Sequence, residues 1–229
     1  MSLKTNLISY YKLDGNSNDS VASNNGTNTN ISFDNAYGKI NNGASYTSTS
    51  SKIILSSQAQ QSAGTVNLWV KPLTNFNVEK SLFTDRDATN RAGMCQIQIS
   101  TAGKLNLLVS NGSSWVINST SSSAMSINNW YMMTWVWDAT DGHKIYINNS
   151  AWITNTTVRS AFTGVVDQVI GNLNFGGNDT YGSNKYIDEV GIWSRALSST
   201  EIGELYNSGN GLSYDNFAVG NTGAFFNFF

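Results

Sequence analysis

The chain has 229 residues, of which 12% are charged and 40% hydrophobic, and its formal net charge is −2. Such a balance provides no electrostatic footprint for nucleic acid or for an anionic membrane. The single cysteine, Cys95, excludes an internal disulfide framework, and it alternates with isoleucines as a buried hydrophobic residue would.

No apolar run approaches the ~20 residues that a membrane-spanning helix needs. The N-terminal residues show no apolar signal-peptide core and no cleavage motif. This leaves open that a signal peptide was removed from the mature chain.

Alternation of apolar and polar residues with period two predicts β-strands over residues 66–70, 105–109, 131–137 and 145–147. The segment 131–137 is almost wholly apolar, which is typical of a strand buried on both faces. Asn-Gly or Asp-Gly pairs suited to tight turns begin at residues 25, 42, 111, 141 and 210. The serine-rich run 119–123 is predicted to be a solvated loop. Together these patterns predict an all-β fold, an antiparallel sandwich of two sheets.

Residues 186–193 are predicted to form the strand that closes the sandwich. Strict alternation places Ile187, Glu189 and Trp193 on one face of this strand and Asp188 on the other.

One short helix is predicted to follow this strand. Ser198 and Glu201 have the spacing of a capping box, in which each side chain bonds the backbone N–H of the other residue. Ile202 and Leu205 then recur at helical spacing, and Gly209 is suited to end the helix.

The signals of the sandwich are complete by residue 209, so residues 1–211 are predicted to form the sandwich domain and 212–229 a separate tail. Burial of a phenylalanine is worth ~1.5–3 kcal/mol, so a phenylalanine-rich tail is costly to leave in water. Two interpretations stay open: the tail returns across its own sandwich, or it docks on a neighbouring subunit. The candidate assembly residues are Phe217, Phe225, Phe226, Phe228 and Phe229.

Four blocks in this order carry a resemblance to a known family. They are the strand and Leu-Asp-Gly-Asn-Ser-Asn-Asp turn of residues 7–20, the strand 64–72, the hairpin 129–148 and the closing segment 186–206. This arrangement resembles the laminin-G-like domains of the concanavalin A-like superfamily. The resemblance implies a jelly-roll sandwich with one short C-terminal helix, which binds sugars or proteins and often holds calcium.

The resemblance also implies a structural calcium ion (Ca²⁺) that ties the N-terminal turn to the closing strand. The matching carboxylates are Asp19 and Asp188, with backbone carbonyls near Asn24 and Gly26 as further ligands. In the alternative interpretation Asp14 and Asp19 cap turns and Asp188 accepts backbone hydrogen bonds.

The sequence predicts no catalytic residue. Some sandwich relatives are glycosidases with a Glu-x-Asp-x-x-Glu strand, and that motif is absent here. Glu189 has no second carboxylate on its strand, the charges at 85–87 neutralise one another, and the single His143 has no histidine partner for a metal.

Glycan binding is indicated by aromatic residues near polar groups. For Trp115 and Trp152, packing at the edge of the sandwich is the favoured interpretation, because both fall in alternating segments. For the loop 176–184, packing and ligand binding stay equally open. Its candidate ligand residues are Asn178, Asp179, Tyr181 and Asn184.

Two functions follow from these observations. The favoured one is a non-enzymatic virion surface or assembly protein of a phage, with possible glycan binding. It is indicated by the phenylalanine-rich tail, the lack of a visible export signal and the low-charge surface. The alternative is a free-standing, calcium-dependent carbohydrate-binding or adhesion module. The expected partners are a glycan or protein surface and a homo-oligomer or larger assembly, located in a virion or outside the cell.

Overall fold

The computed structural model describes residues 2–55, 58–59, 61–86, 92–158, 165–173 and 180–218. Within these ranges the chain forms sixteen strands and one α-helix, α1 (Ser199–Tyr206). Short 3₁₀ turns occupy Asn35–Tyr37, Asn207–Gly209 and Tyr214–Asn216. The strands are β1 (Leu7–Tyr11), β2 (Thr27–Thr29), β3 (Ile31–Asp34), β4 (Gly43–Tyr46), β5 (Lys52–Ile54), β6 (Gln58–Ala59), β7 (Gly64–Pro72), β8 (Lys80–Arg86), β9 (Ala92–Ile99), β10 (Lys104–Asn111), β11 (Trp115–Ala124), β12 (Tyr131–Asp138), β13 (Gly142–Ile147), β14 (Ser150–Asn155), β15 (Val165–Ile170) and β16 (Lys185–Trp193).

The strands form two antiparallel sheets of eight strands each. Sheet I has the order β14-β13-β12-β7-β16-β4-β3, and β1 also pairs with β16. Sheet II has the order β11-β10-β9-β8-β15-β5-β2, and β6 also pairs with β15. The predicted all-β, two-sheet antiparallel sandwich with one short helix is therefore confirmed. The serine-rich run 119–123, predicted to be a loop, instead belongs to β11.

The main hydrophobic core lies between the two sheets. Alternate residues of each strand enter it, such as Val66 and Trp135 from sheet I and Ile97 and Leu107 from sheet II. Cys95 is buried in this core, as its alternation with isoleucines predicted.

A second hydrophobic cluster covers the outer face of sheet I. Helix α1 contributes Ile202 and Leu205 to it, the N-terminal segment contributes Leu3, and β12 contributes Met132 and Val136. This second layer explains why the segment 131–137 is apolar on both faces. Sheet II carries polar side chains on its outer face, and its exposed side is where a site can form.

Strand β16 departs from the predicted alternation. Its pairing with β7 shifts between Asp188 and Gly191, and Glu189 has a left-handed φ of 50°. This β-bulge inserts one extra residue, so Ile187 and Val190 both face the core between the sheets. The prediction that Ile187 and Trp193 share one face is therefore wrong, because Trp193 lies in the outer cluster.

Helix α1 begins with the predicted capping box. The Ser198 hydroxyl accepts from the Glu201 N–H at 3.3 Å, and the Ser198 N–H donates to Glu201 Oε2 at 2.9 Å. The helix ends before Gly209, because Asn207 adopts the left-handed conformation that closes it. Arg195 binds the Glu201 carboxylate at 2.6 Å and thereby joins the helix to the end of β16.

The beginning of the predicted tail packs on the chain's own sandwich. Phe217 is 2% exposed, with ring centroids 5.3 Å from Tyr10 and 6.5 Å from Trp193. This phenylalanine is therefore taken up by the outer cluster of sheet I rather than by a neighbouring subunit. Phe225, Phe226, Phe228 and Phe229 lie outside the described residues.

No helix in the described part of the chain is both long and apolar enough to cross a membrane.

Candidate glycan-binding groove

A groove of about 350 Å³ lies on the outer face of sheet II. Strands β9 to β11 form its base, because the residues that alternate with the core residues point outward from this face. The polar residues that line it are Glu79, Gln96, Gln98, Asn106 and Asn118. The apolar and aromatic residues that line it are Met94, Leu108, Leu173, Trp115 and Tyr181.

The floor of the groove is a row of side-chain amides brought together by strand register. Gln98 of β9 pairs with Asn106 of β10, and Asn118 of β11 lies opposite Leu108 of β10. Gln96 Nε2 donates to Gln98 Oε1 at 2.5 Å, so these two amides orient one another. A surface of this kind offers both hydrogen-bond donors and acceptors without a charge.

Trp115 stands at the β11 side of the groove and is 41% exposed. It lies on β11, the edge strand of sheet II, two residues before β11 enters the core at Ile117, so both a packing role at the edge and contact with a ligand stay open for it. Trp152, which has a similar alternating context, is half-buried and packs against the main core as predicted.

Tyr181 lies at the opposite side of the groove and is held by its backbone. Its carbonyl accepts from the Ser81 N–H of β8 at 3.1 Å and from Lys185 Nζ at 3.2 Å. Its own N–H donates to Asn172 Oδ1 at 3.2 Å. These bonds hold the Tyr181 backbone next to β8, and Tyr181, one of the predicted ligand residues, lines the groove.

The other predicted ligand residues of the loop do not join Tyr181. Asn184 has a left-handed φ of 63°, and its N–H donates to the Tyr46 carbonyl at 2.6 Å. It is a turn residue that leads into β16 and is not among the residues that line this groove. Asn178 and Asp179 lie outside the described residues.

A second depression of about 560 Å³ lies beside helix α1, but its polar groups bind one another. Lys144 pairs with Asp141 at 2.6 Å, and Arg195 pairs with Glu201 at the same distance. The Asp138 carboxylate accepts the N–H groups of its own turn. The groove on sheet II, with its exposed tryptophan and amide floor, is therefore the better candidate for a binding site.

The predicted calcium ligands already accept hydrogen bonds from the protein. The Asp19 carboxylate accepts four backbone N–H groups at 2.9–3.3 Å, one of them from Tyr10. The carbonyl of Asn24 accepts from the Tyr11 hydroxyl at 2.7 Å, and that of Gly26 accepts from a serine hydroxyl at 2.8 Å.

Asp188 is likewise engaged, with the N–H groups of Lys39 and Ile40 at 2.8 and 2.9 Å from Oδ2. Within the described ranges, no group of three or more histidine, cysteine, aspartate and glutamate side chains is placed to hold a metal ion. Calcium at Asp19 and Asp188 would have to displace these donors, so the geometry does not fit a ready-made site. Calcium binding stays a prediction of the resemblance.

Glu189, at the bulge of β16, is a buried carboxyl whose surroundings the sequence did not reveal. It is 1% exposed, it accepts a short hydrogen bond from the Tyr10 hydroxyl, and its Oε1 has no partner. Burial raises the pKa of Glu189 from 4.5 to about 8. Because the group is enclosed, it has a structural environment rather than that of a catalytic acid open to a substrate. His143 is also fully buried and accepts from the Trp135 indole N–H at 3.1 Å.

Comparisons with solved structures show the same fold in several proteins. Domain 4 of AbnA, an extracellular arabinanase from Geobacillus stearothermophilus solved in complex with arabinotriose, is 21% identical with a TM-score of 0.69, covering 86% of this chain and 97% of that chain. The binding domain of Paraclostridial Mosquitocidal Protein 1 is 19% identical with a TM-score of 0.69, covering 90% of this chain and 53% of that chain. Trypanosoma rangeli sialidase is 14% identical with a TM-score of 0.72, covering 92% of this chain and 34% of that chain.

A search of curated protein sequences gives no match to the chain. The sequence profile described as the concanavalin A-like lectin/glucanases superfamily matches residues 41–203. That range contains the inner strands of both sheets and all of the described groove. The chain therefore belongs to the concanavalin A-like lectin/glucanases superfamily.

Proposed function

We propose that this domain is a non-enzymatic carbohydrate-binding module that holds a glycan in the groove on sheet II. The observation that carries the proposal is the exposed Trp115 beside a floor of side-chain amides. Because Trp115 is 41% exposed, part of its indole surface is open to a ligand in the groove.

The chemistry of the groove suits a sugar. An indole face packs against the apolar C–H face of a sugar ring, and the amides of Asn106 and Asn118, which are half-buried and exposed, respectively, bind hydroxyl groups as donors and acceptors. Gln96 and Gln98 are 4% and 3% exposed and support the floor from within. The hydrogen bond between the Gln96 and Gln98 amides limits the rotamers of both side chains before a ligand arrives. Preorganised polar groups on rigid strands lower the entropy cost of binding.

The comparisons support this proposal at the level of the fold. One structural relative is solved with arabinotriose, and another is the binding domain of botulinum neurotoxin serotype D. A glycan-binding domain would meet its ligand outside the cell or on a virion, so this location stays part of the proposal.

The assembly role predicted from the sequence depended mainly on the phenylalanine-rich tail. Phe217 packs on its own sandwich, so that part of the argument no longer favours docking on a neighbour. The role of a phage virion component stays a prediction that size-exclusion chromatography tests. The full chain and a form that ends at Gly211 should differ in oligomeric state if the tail assembles subunits.

A glycan array tests the proposed function. The full chain is expected to bind a defined set of glycans, and Trp115→Ala is expected to lose at least about tenfold in affinity, because a buried aromatic contact is worth more than about 1.4 kcal/mol. Val158→Ala, at an exposed position outside the groove, is the matched control and should bind as the wild type does. No bound glycan, or undiminished binding by Trp115→Ala with its melting temperature unchanged, would contradict the proposal.

A further inference from the structure

We infer that the groove selects uncharged oligosaccharides and that Glu79 excludes acidic ones. The inference rests on the proposed function and concerns the class of ligand that the same groove takes. Two features of the groove support it: the charge of Glu79 and the separation of the strands that carry Trp115 and Tyr181.

The described residues that line the groove include no lysine, arginine or histidine to pair with an acidic sugar. Among the described residues that line it, Glu79 is the only one charged at neutral pH, and it is half-buried. A carboxylate or sulfate on a sugar would be desolvated there next to another carboxylate. Recognition of such groups in proteins depends on arginine, lysine or backbone N–H donors, and like charges brought together disfavour the complex.

Besides Lys104, which shares the outer face of β10 with Asn106 but is not among the described lining residues, two buried lysines lie close to the groove in the chain. Lys185 is fully buried and donates to the carbonyls of Tyr181 and Gly182 at 3.2 and 2.5 Å. Lys80 is also fully buried, with its Nζ 3.5 Å from the Asn75 carbonyl and 5.9 Å from the centre of the Phe76 ring. Neither amine lines the groove, so neither offsets the charge of Glu79.

The breadth of the groove indicates more than one sugar unit. Trp115 belongs to β11, and Tyr181 is bonded to β8, with β10 and β9 between these strands. Three spacings between neighbouring strands amount to ~14 Å. A ligand that contacts both rings must cross the amide floor between them, which a single sugar ring is too small to do.

Isothermal titration with matched pairs of sugars tests this inference. The neutral members are lactose and lacto-N-tetraose, together with any uncharged glycan found on the array, and the acidic members are their sialylated forms. For each pair that binds, the wild type should favour the neutral member by at least about tenfold. Glu79→Gln should narrow that ratio by roughly tenfold, because removal of the carboxylate should raise the affinity for the acidic member relative to the neutral one.

The inferred number of sugar units in the ligand is tested by titration of saccharides of different length. A neutral tri- or tetrasaccharide should bind at least about tenfold more tightly than its terminal monosaccharide. Tyr181→Ala should weaken binding of the oligosaccharide by a larger factor than binding of the monosaccharide, and Val158→Ala should alter neither affinity.

The outcomes separate the two proposals. Binding of no glycan at all overturns the proposed function. Binding that Trp115→Ala abolishes, but that favours acidic sugars or gives equal ratios in wild type and Glu79→Gln, overturns only the selectivity inferred here. Equal affinity for the monosaccharide and the oligosaccharide overturns the inferred span.

Discussion

The buried carboxyl of Glu189 predicts that the domain becomes less stable as the pH rises from 5 to 8. In the folded chain, burial raises the pKa of Glu189 to about 8, and the charge of Asp14 acts in the same direction. The Tyr10 hydroxyl and Lys12 oppose this shift, since both favour the ionised form. In the unfolded chain the same carboxyl has a pKa of 4.5. Between these two pKa values, the Glu189 carboxyl is protonated in the folded chain and ionised in the unfolded chain.

The direction and the size of the change in stability with pH follow from this difference in pKa. The stabilising contribution of the protonated Glu189 is complete below pH 4.5 and is lost as the pH rises through about 8. A difference of about 3.5 pKa units, at ~1.4 kcal/mol per unit, sets an upper bound of about 5 kcal/mol on this loss. Burial also raises the pKa of Asp188, so its contribution has the same sign.

Substitution of Glu189 by glutamine isolates the effect. A glutamine side chain at this position keeps an oxygen for the Tyr10 hydroxyl and remains neutral at every pH, so the Glu189→Gln variant should lose most of the decline in stability between pH 5 and pH 8. Its free energy of unfolding at pH 8 should exceed that of the wild type by about 3 kcal/mol or more, within the bound above.

The assay is urea denaturation at pH 5, 6, 7 and 8, at constant ionic strength and with EDTA in every sample so that bound calcium contributes nothing. The matched control is Glu204→Gln, which removes a carboxyl exposed on helix α1 and should preserve the decline of the wild type. If Glu189→Gln and the wild type lose the same free energy between pH 5 and pH 8, Glu189 is not held protonated and the reasoning is refuted.

Three further predictions concern other contacts of the fold. Arg195→Ala should cost about 3 kcal/mol in the free energy of unfolding, because it leaves the Glu201 carboxylate, 6% exposed, without its cation; a cost below about 1 kcal/mol in urea denaturation would show that the pair matters little. Phe217→Ala should cost about 3–5 kcal/mol, since this ring is 2% exposed in the outer cluster; a change in oligomeric state at unaltered stability would instead favour docking on a neighbour. If Asp19 and Asp188 hold calcium, EDTA should lower the melting temperature of the domain. An unchanged melting temperature would contradict calcium binding and would show that both carboxylates act only as acceptors of backbone hydrogen bonds.

Much of the fold is predictable because its determinants are short in range. Alternation with period two depends on neighbouring residues only, and so does the capping box of Ser198 and Glu201. The bulge at Glu189 is different, because it adds one residue to a run that still looks regular and so inverts the faces on either side of it. Counting along the chain does not detect that insertion.

The groove was much less accessible to sequence reasoning. Trp115 and Trp152 occur in similar alternating segments, yet one is exposed beside the groove and the other packs on the main core. The amides of Gln98 and Asn106 become neighbours only through the register of β9 and β10. One signal was present: glutamines and asparagines alternate with the core residues of these strands, which is an unusually uniform choice for a solvent face.

The sequence by itself determined the two-sheet sandwich, the short capped helix and the absence of charge clusters, because each depends on local pattern or on composition. Only the tertiary structure decided which sheet has a groove on its outer face. Helix α1, the N-terminal segment and Phe217 cover the outer face of sheet I, since its strands are apolar on both faces. Sheet II has polar residues on its outer face, and the burial of the opposite sheet leaves this surface, with Trp115 and its amide floor, as the place where a ligand can bind.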